Sequence, residues 1–301
     1  MDKILNYTVC TRCFTYNHVA FIEDAMNGFT MQVTKFPTVT LIVDDASCDG
    51  EQEVIKKYLA DNFMKPYRTE DTDDYYLICA KHNTNPNCLF VVFLLKYNHY
   101  SIRKPKVNYL AEWQDEAKYV AICEGDDYWT DENKLQMQVD YMESHEGCSM
   151  CFHDVNTYSM YEEKYINKFS LPREDRNYKS RHLFTIGWLA PTASILCRRE
   201  WMMRSVDYPD WARIEGLGGD ITWQMFLSTK GYFHYNARKM SVYRFGVPGS
   251  ATERSKVKKH KGHQAYLDFL EKSNRFLFGG KYTLYVWYKK VRFFVHRVIY
   301  R

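Results

Sequence analysis

The chain has 301 residues, 46% hydrophobic and 26% charged, with a net charge of +4. That length can bury one large core or two smaller ones, so neither disulfides nor structural metals are needed for folding, and the composition is ordinary for a globular protein. No apolar stretch approaches a bilayer span; the longest, residues 88–95, suits a buried strand.

The charge is unevenly placed. From Arg254 onward there are 13 Lys/Arg against two Asp/Glu, so the tail carries +11 and the first 253 residues carry −7. Aromatics make up 17% of the chain, with 25 tyrosines, a content that suits sugar-facing surfaces and equally a tyrosine-heavy core. The nine cysteines include two C-x-x-C pairs, at Cys10/Cys13 and Cys148/Cys151. Side chains three apart on a strand point to opposite faces, and the two pairs lie too far apart for a zinc ribbon, so no zinc site is expected. The odd cysteine count, with no secretory leader recognised, points to a reducing cytoplasm.

Residues 7–14 read as a strand and 15–17 as a turn, and apolar positions 22, 25, 26 and 29 follow a helical period. The β-branched run 38–43 predicts a buried parallel strand that ends in Asp44-Asp45, followed by a helix over 51–61. Strand, helix, strand, helix is the signature of an α/β sheet. Residues 64–88 are polar with a hairpin around 75–80, 89–96 is a buried strand, 107–117 is helical, and 118–123 is the next strand. That strand delivers Glu124-Gly125-Asp126-Asp127 at its carboxyl end, the edge where open parallel sheets collect ligands, and Asp44-Asp45 arrives at the same edge. Beyond it the pattern predicts an amphipathic helix over 133–144, a polar loop over 156–182 covering the site, and a strand at 191–198. A helix follows at 221–229 with Asp220 near its N-cap, and strands return over 232–243.

Several carboxylates on one short turn repel one another unless a cation lies between them, and hard oxygen ligands suit Mg²⁺ or Mn²⁺ shared with substrate phosphates. A solvated acidic turn capping the next helix is the plainer reading of Glu124, Asp126 and Asp127; their position at the end of an apolar strand, before Tyr128-Trp129, weighs against it.

Four segments in order carry a resemblance: T-Y-N at 15–17, V-D-D-A-S-x-D at 43–49, E-G-D-D-Y-W-T-D-x-x-K-L at 124–135 and G-G-D at 218–220. Over about residues 5–245 the chain resembles the family 2 glycosyltransferases of bacterial surface-glycan type. The resemblance implies a GT-A fold: α/β, with a Rossmann-like, mostly parallel central sheet flanked by helices, here followed by a C-terminal helical tail. It divides the chain into a nucleotide-sugar half (1–128), an acceptor half (129–245) and a basic aromatic tail (246–301). It implies transfer of a sugar from a nucleotide-diphosphate sugar, a UDP-sugar first, to an acceptor hydroxyl with inversion, using Mn²⁺ or Mg²⁺, in polysaccharide or lipid-linked glycan synthesis. Thr15, Tyr16 and Asn17 would line the nucleotide pocket, Asp44 would meet the base, and Asp45 would lie beside the ribose and phosphates. Asp126 would contact ribose and metal, Asp127 would be the main metal ligand of the DXD-like motif, and Glu124 the outer acidic position. Asp220 would be the general base. In the plainer reading Asp45, Ser47 and Asp49 form a capped turn, and Asp220 caps its helix. Tyr128 and Trp129 either stack on a sugar or pack beneath the site; Lys134 either reaches a phosphate or is a solvated helix lysine.

The family's histidine after Y-R is replaced here, where Phe245-Gly246 follows Tyr243-Arg244, so that auxiliary contact is not expected. The loop carrying Asn98, His99, Arg103 and Lys104 is either a phosphate contact or a plain basic loop. The tail over 283–300 has Leu284, Trp287, Val291, Phe294, Val295 and Val298 near helical spacing with Lys289, Lys290, Arg292 and Arg297 among them, and either docks on an anionic membrane or packs on the core. The expected location is the cytoplasm or the cytoplasmic face of the inner membrane, with no nucleic-acid partner. Two other classes are a non-catalytic sugar-nucleotide-binding subunit and a receiver-like phospho-acceptor domain. The latter needs a lone aspartate after the 89–96 strand, where the chain has Lys96-Tyr97-Asn98.

Overall fold

The computed structural model describes residues 5–299 apart from 170, 188, 215–216, 218 and 251–258, so Gly218 and the side chains of Arg297 and Val298 lie outside the described residues. Strand β1 (Tyr7–Thr15) sends Cys10 into one face of the sheet and Cys13 into the other, as the period-2 argument requires, and all nine cysteines are free. Helix α1 (Ile22–Thr30) buries Ile22, Ala25, Met26 and Phe29, the helical stripe of its sequence. The TVTLIVD run is buried at every position as β2 (Thr38–Asp44) and leads through Gly50, at φ 96°, into α2 (Glu51–Asn62).

The segment 64–88 is an antiparallel hairpin, β3 (Arg68–Asp71) and β4 (Tyr75–Lys81), which extends the sheet beside the wholly buried β5 (Cys88–Leu95). The helix expected over 107–117 is reduced to a 3-10 turn at Lys106–Tyr109 and the single turn α3 (Ala111–Gln114), because β6 (Ala117–Ile122) already begins at Ala117. Then come β7 (Tyr128–Trp129) and α4 (Lys134–Ser144). A strand not foreseen in the sequence follows: β8 (Cys148–Ser159) is twelve residues long and its last four enter the supposed loop, with β9 (Lys164–Ile166) hairpinned onto its end. Next are β10 (Arg176–Tyr178), α5 (Ser180–Thr185), and β11 (Leu196–Arg198), where only the end of the expected 191–198 strand is extended after a 3-10 turn. Helix α6 (Gly219–Leu227), β12 (Tyr232–Phe245), α7 (Lys259–Phe278) and α8 (Thr283–Ile299) complete the chain.

The twelve strands form one sheet, ordered β10-β12-β8-β11-β6-β1-β2-β5-β4-β3, with β7 paired to β12 and β9 to β8. Strands β5, β2, β1 and β6 are parallel, so their carboxyl ends share one edge. Antiparallel β11 joins this block to the parallel pair β8 and β12, making the architecture a mixed α/β sheet flanked by helices. One face is covered by α1, α2 and α4 through residues such as Met26, Phe29, Ile55 and Val139. The other is covered by Leu110 and Trp113 at one end and by α5 to α8, through Phe184, Trp223, Phe269 and Val286, at the other. Gly28 lets α1 lie against β7: a Cβ there would come within 2.8 Å of the Trp129 amide nitrogen.

Lys134 departs from both sequence readings. It is 0% exposed; its Nζ donates to Gln138 Oε1 at 2.8 Å and sits 4.1 Å from the Trp129 ring centroid. Trp129 is itself fixed by donating Nε1–H to the Ala193 carbonyl at 2.8 Å, so the lysine packs inward under the site instead of reaching into it. Burial pushes its ammonium down from an ordinary 10.5 to about 7. The unfolded chain therefore binds more protons above neutrality, and this group adds stability as pH rises. Between pH 7 and about 8.5 the wild type should gain up to about 1.4 kcal/mol per pH unit relative to Lys134→Met. Denaturant midpoints of the two proteins across that range check it; parallel pH profiles would contradict the buried charge.

Candidate active site at the carboxyl edge of the parallel strands

Strand β1 ends at Thr15, β2 at Asp44, and β6 runs out just before Glu124, so hydrogen-bond register alone brings the three sequence motifs to one edge. The loop after β1 is stitched to the loop after β2. The Asn17 amide donates to Ser47 Oγ at 2.8 Å, the Cys48 amide donates to Asn17 Oδ1 at 2.9 Å, and the Val19 amide donates to Asp49 Oδ2 at 2.9 Å. Asn17 and Ala46 both take left-handed backbone, at φ 57° and 60°, which turns the two loops back on themselves. Tyr16 stays exposed at the rim.

Beneath these loops lies a carboxylate that the sequence reading did not single out. Glu51, fully buried at the start of α2, accepts from the Thr15 hydroxyl, from the His18 amide at 2.8 Å and from Ser47 Oγ at 2.8 Å. Asp44 accepts from the Ser47 hydroxyl and amide and from Gln52 Nε2, and burial raises its pKa. Burial likewise pushes Glu51 up to about 7, against the lowering effect of its hydrogen bonds. In the sequence Glu51 looks like an ordinary first-turn helix residue; only the folded loop closes over it.

Asp45 has a different role from its neighbour. It is 1% exposed and its carboxylate is fully engaged, accepting from the amides of His99 at 2.7 Å and Tyr100 at 3.1 Å and pairing with Lys106 Nζ at 2.6 Å. Asp45 thereby pins the loop after β5 against the end of β2. His99 is wholly buried and Lys104 is paired with Asp74, so those two are built into the fold, whereas Arg103 of the same loop stays exposed.

The acidic turn after β6 sits against β1 and β12. Gly125 must be glycine, because a Cβ there would lie 2.1 Å from Thr15 Oγ1. Asp127 is buried; its Oδ1 accepts from the Arg244 amide at 2.8 Å. Burial first, and the Asp126 charge next to it, push its pKa well above the ordinary carboxylate value. Glu124 is half-buried and is pushed up to about 7 by desolvation, which the Arg12 guanidinium partly opposes. Asp126 is the more open of the two aspartates, with Oδ2 3.9 Å from His18 Nε2. Arg244 ties the turn down: its Nη1 donates to the Asp126 carbonyl at 2.9 Å, its Nη2 reaches Asp24, and its guanidinium lies 4.5 Å from the Tyr128 ring and 4.8 Å from Phe21. The sequence marked Arg244 only as the residue before a missing histidine. Here it does the anchoring itself. Tyr128 is part-exposed beside it, whereas Trp129 is buried and packs beneath the site.

Among the described residues no three His, Cys, Asp or Glu side chains converge on a common metal position. A hard cation shared with a diphosphate needs only one or two protein carboxylates, and the all-oxygen set of Asp126 and Asp127 fits that pattern. Asp220 lies half-buried inside the first turn of α6, as its second residue and so two past where an N-cap would stand.

No family model matches the chain. Uncharacterised proteins of Mycobacterium bovis and of two Mycobacterium tuberculosis strains are 28% identical over 255 residues, covering 83% of this chain and 63% of their own length. Among solved structures, S. aureus TarS superposes with a TM-score of 0.51 at 17% identity over 92% of this chain and 45% of that one. A mannosyltransferase from Pyrobaculum calidifontis, solved with GDP-Man and Mn²⁺, superposes with a TM-score of 0.51 at 15% identity over 90% of this chain and 65% of that one. The fold is thus one used by glycosyltransferases, and the chain spans less than two thirds of each of these relatives.

The Glu51 cluster gives a pH dependence with a definite sign. A folded value near 7 against an ordinary 4.5 means that the folded state holds the proton longer, so this group's stabilisation fades as pH rises through that window. Thermal midpoints measured from about pH 5 to about pH 7.5 should fall more for wild type than for Glu51→Gln, and an identical fall in both would show Glu51 to be an ordinary carboxylate.

Proposed function

We propose that the protein is a glycosyltransferase that moves a sugar from a nucleoside-diphosphate sugar to an acceptor hydroxyl. The observation that carries this reading is the arrival of Asp44, Glu124, Asp126 and Asp127 at one edge of four parallel strands, in a fold shared with a solved mannosyltransferase. Two buried or half-buried carboxylates, Glu124 and Asp127, raised in pKa by desolvation first and by the Asp126 charge next, form a place where positive charge is wanted.

Within this reading residues 1–128 hold the donor and 129–245 the acceptor. Thr15, Tyr16 and Asn17 border the nucleotide, with Asp44 on the side of the base, a uracil first, and Asp45 on the side of the ribose and phosphates. Asp126 and Asp127 hold Mn²⁺ or Mg²⁺, which when bound neutralises charge on the departing diphosphate. Glu124 sets the field behind them and Tyr128 offers a ring for stacking. Asp220 takes the proton from the acceptor hydroxyl as that oxygen attacks the anomeric carbon opposite the leaving diphosphate, a single displacement with inversion. The donor sugar and acceptor belong to surface polysaccharide or lipid-linked glycan synthesis.

A panel of UDP-, GDP- and dTDP-sugars with Mn²⁺ or Mg²⁺, assayed for transfer and donor hydrolysis, tests the reading; no binding and no turnover with any donor would end it. Asp220→Asn should lower kcat by about 10²- to 10⁴-fold while leaving donor affinity within about threefold. Asp126→Asn and Asp127→Asn should each weaken cation-dependent donor binding by roughly tenfold or more, seen by calorimetry with and without the metal.

A further inference from the structure

We propose that the outward face of α8 is a docking surface for the anionic headgroup layer of a lipid bilayer. The inward face of the helix is already committed to the core. Val286 is buried, Tyr282 at its entrance stacks on Phe184 at 4.5 Å, and Phe293 stacks on His263 at 4.5 Å. A helix held this way needs one apolar stripe, and its opposite stripe is ordinarily polar. Here the opposite stripe is apolar as well. Leu284 is 80% exposed, Trp287 63% and Phe294 67%, with Tyr288, Val291 and Val295 exposed between them. Positions 284, 287, 288, 291, 294 and 295 recur at three and four, so they form one continuous arc.

The flanks of that arc decide the occupant. Arg292 lies exposed at one border, with Lys281 exposed in the turn before the helix; Lys290 at the other border is paired with Glu271 on α7 at 2.6 Å, and no Asp or Glu follows Glu271 in the sequence. A cleft of about 560 Å³ opens beside Trp287 between α7 and α8, with Arg275, Lys290 and Glu271 in its walls. Trp and Tyr on an apolar stripe with Lys and Arg at its borders is the arrangement that settles at headgroup depth, apolar side in the acyl boundary and cations in the phosphate layer. Among the described residues no helix is long and apolar enough to cross a membrane, so α8 would lie in the plane of the interface. A second copy of the chain is a poorer fit, because a two-fold contact would bring the same cationic borders together. The surface stands independently of the activity proposed above.

The full chain, mixed with phosphatidylcholine vesicles with or without about 30% phosphatidylglycerol, should co-sediment with the anionic ones at least about tenfold more strongly, and salt should weaken that binding. Trp287→Glu combined with Phe294→Glu should cut binding by about tenfold or more with no fall in the unfolding midpoint, since both rings are exposed. Lys281→Glu with Arg292→Glu should erase the preference for anionic vesicles while leaving the residual binding to neutral ones. Wild type that ignores anionic vesicles, the ring variant binding as well as wild type, or a concentration-dependent dimer in place of vesicle binding would each overturn the proposal.

Discussion

Mutual repulsion among carboxylates crowded onto one sheet edge is the constraint around which the rest of the molecule is arranged. Asp44, Asp45, Glu51, Glu124, Asp126 and Asp127 are brought there by strand register, and most of them are withdrawn from water. Left unpaired, buried charges of one sign cost far more than the few kcal/mol that separate folded from unfolded chains. The structure meets this cost with a different device at each position. Asp45 receives two amides and a lysine, Glu51 and Asp44 share hydroxyls and amides from the stitched loops, and Asp127 takes the Arg244 amide. Asp126 stays the more open of the turn's two aspartates.

The two DD pairs therefore differ although they look alike on paper. In the first, Asp45 holds the loop after β5 through the amides of His99 and Tyr100. In the second, both members remain at the edge, and Arg244 secures the backbone around them from the far end of β12. Arg244 thereby couples the two halves of the sheet: the parallel block that carries the acidic turn, and the β8–β12 pair that closes over it. The buried Lys134 works beneath that junction. Its stem fills space against Trp129 and its ammonium is satisfied by Gln138, so a residue in the middle of a polar motif serves packing.

Charge is also partitioned along the chain. The acidic body concentrates its carboxylates at the site, and the basic end of the chain carries α8. Lys290 is paired with Glu271 on α7, which fixes the helix in its seat while its outer arc faces away from the core. Packing alone accounts for the inner stripe of α8 and leaves the outer one unaccounted for.

Much of this was legible in the sequence. Hydrophobic periodicity placed β1, α1, β2, α2, β5, β6, α4, β12 and α8, because each carries its own local pattern, and the end of each parallel strand showed which acidic residues share an edge. The α/β class followed from the same alternation, and the flanking helices from the family resemblance. What the sequence could not give depended on distant partners. Strand β8 turns polar past residue 153 and stays extended only because β12 pairs with it along its length. The 107–117 helix shrank because β6 claimed its end for the sheet. Glu51, Asp45 and Arg244 took their roles from residues tens to a hundred or more positions away. Local pattern fixes which face of an element is apolar; which polar groups are left for chemistry is settled only when the fold has used the others.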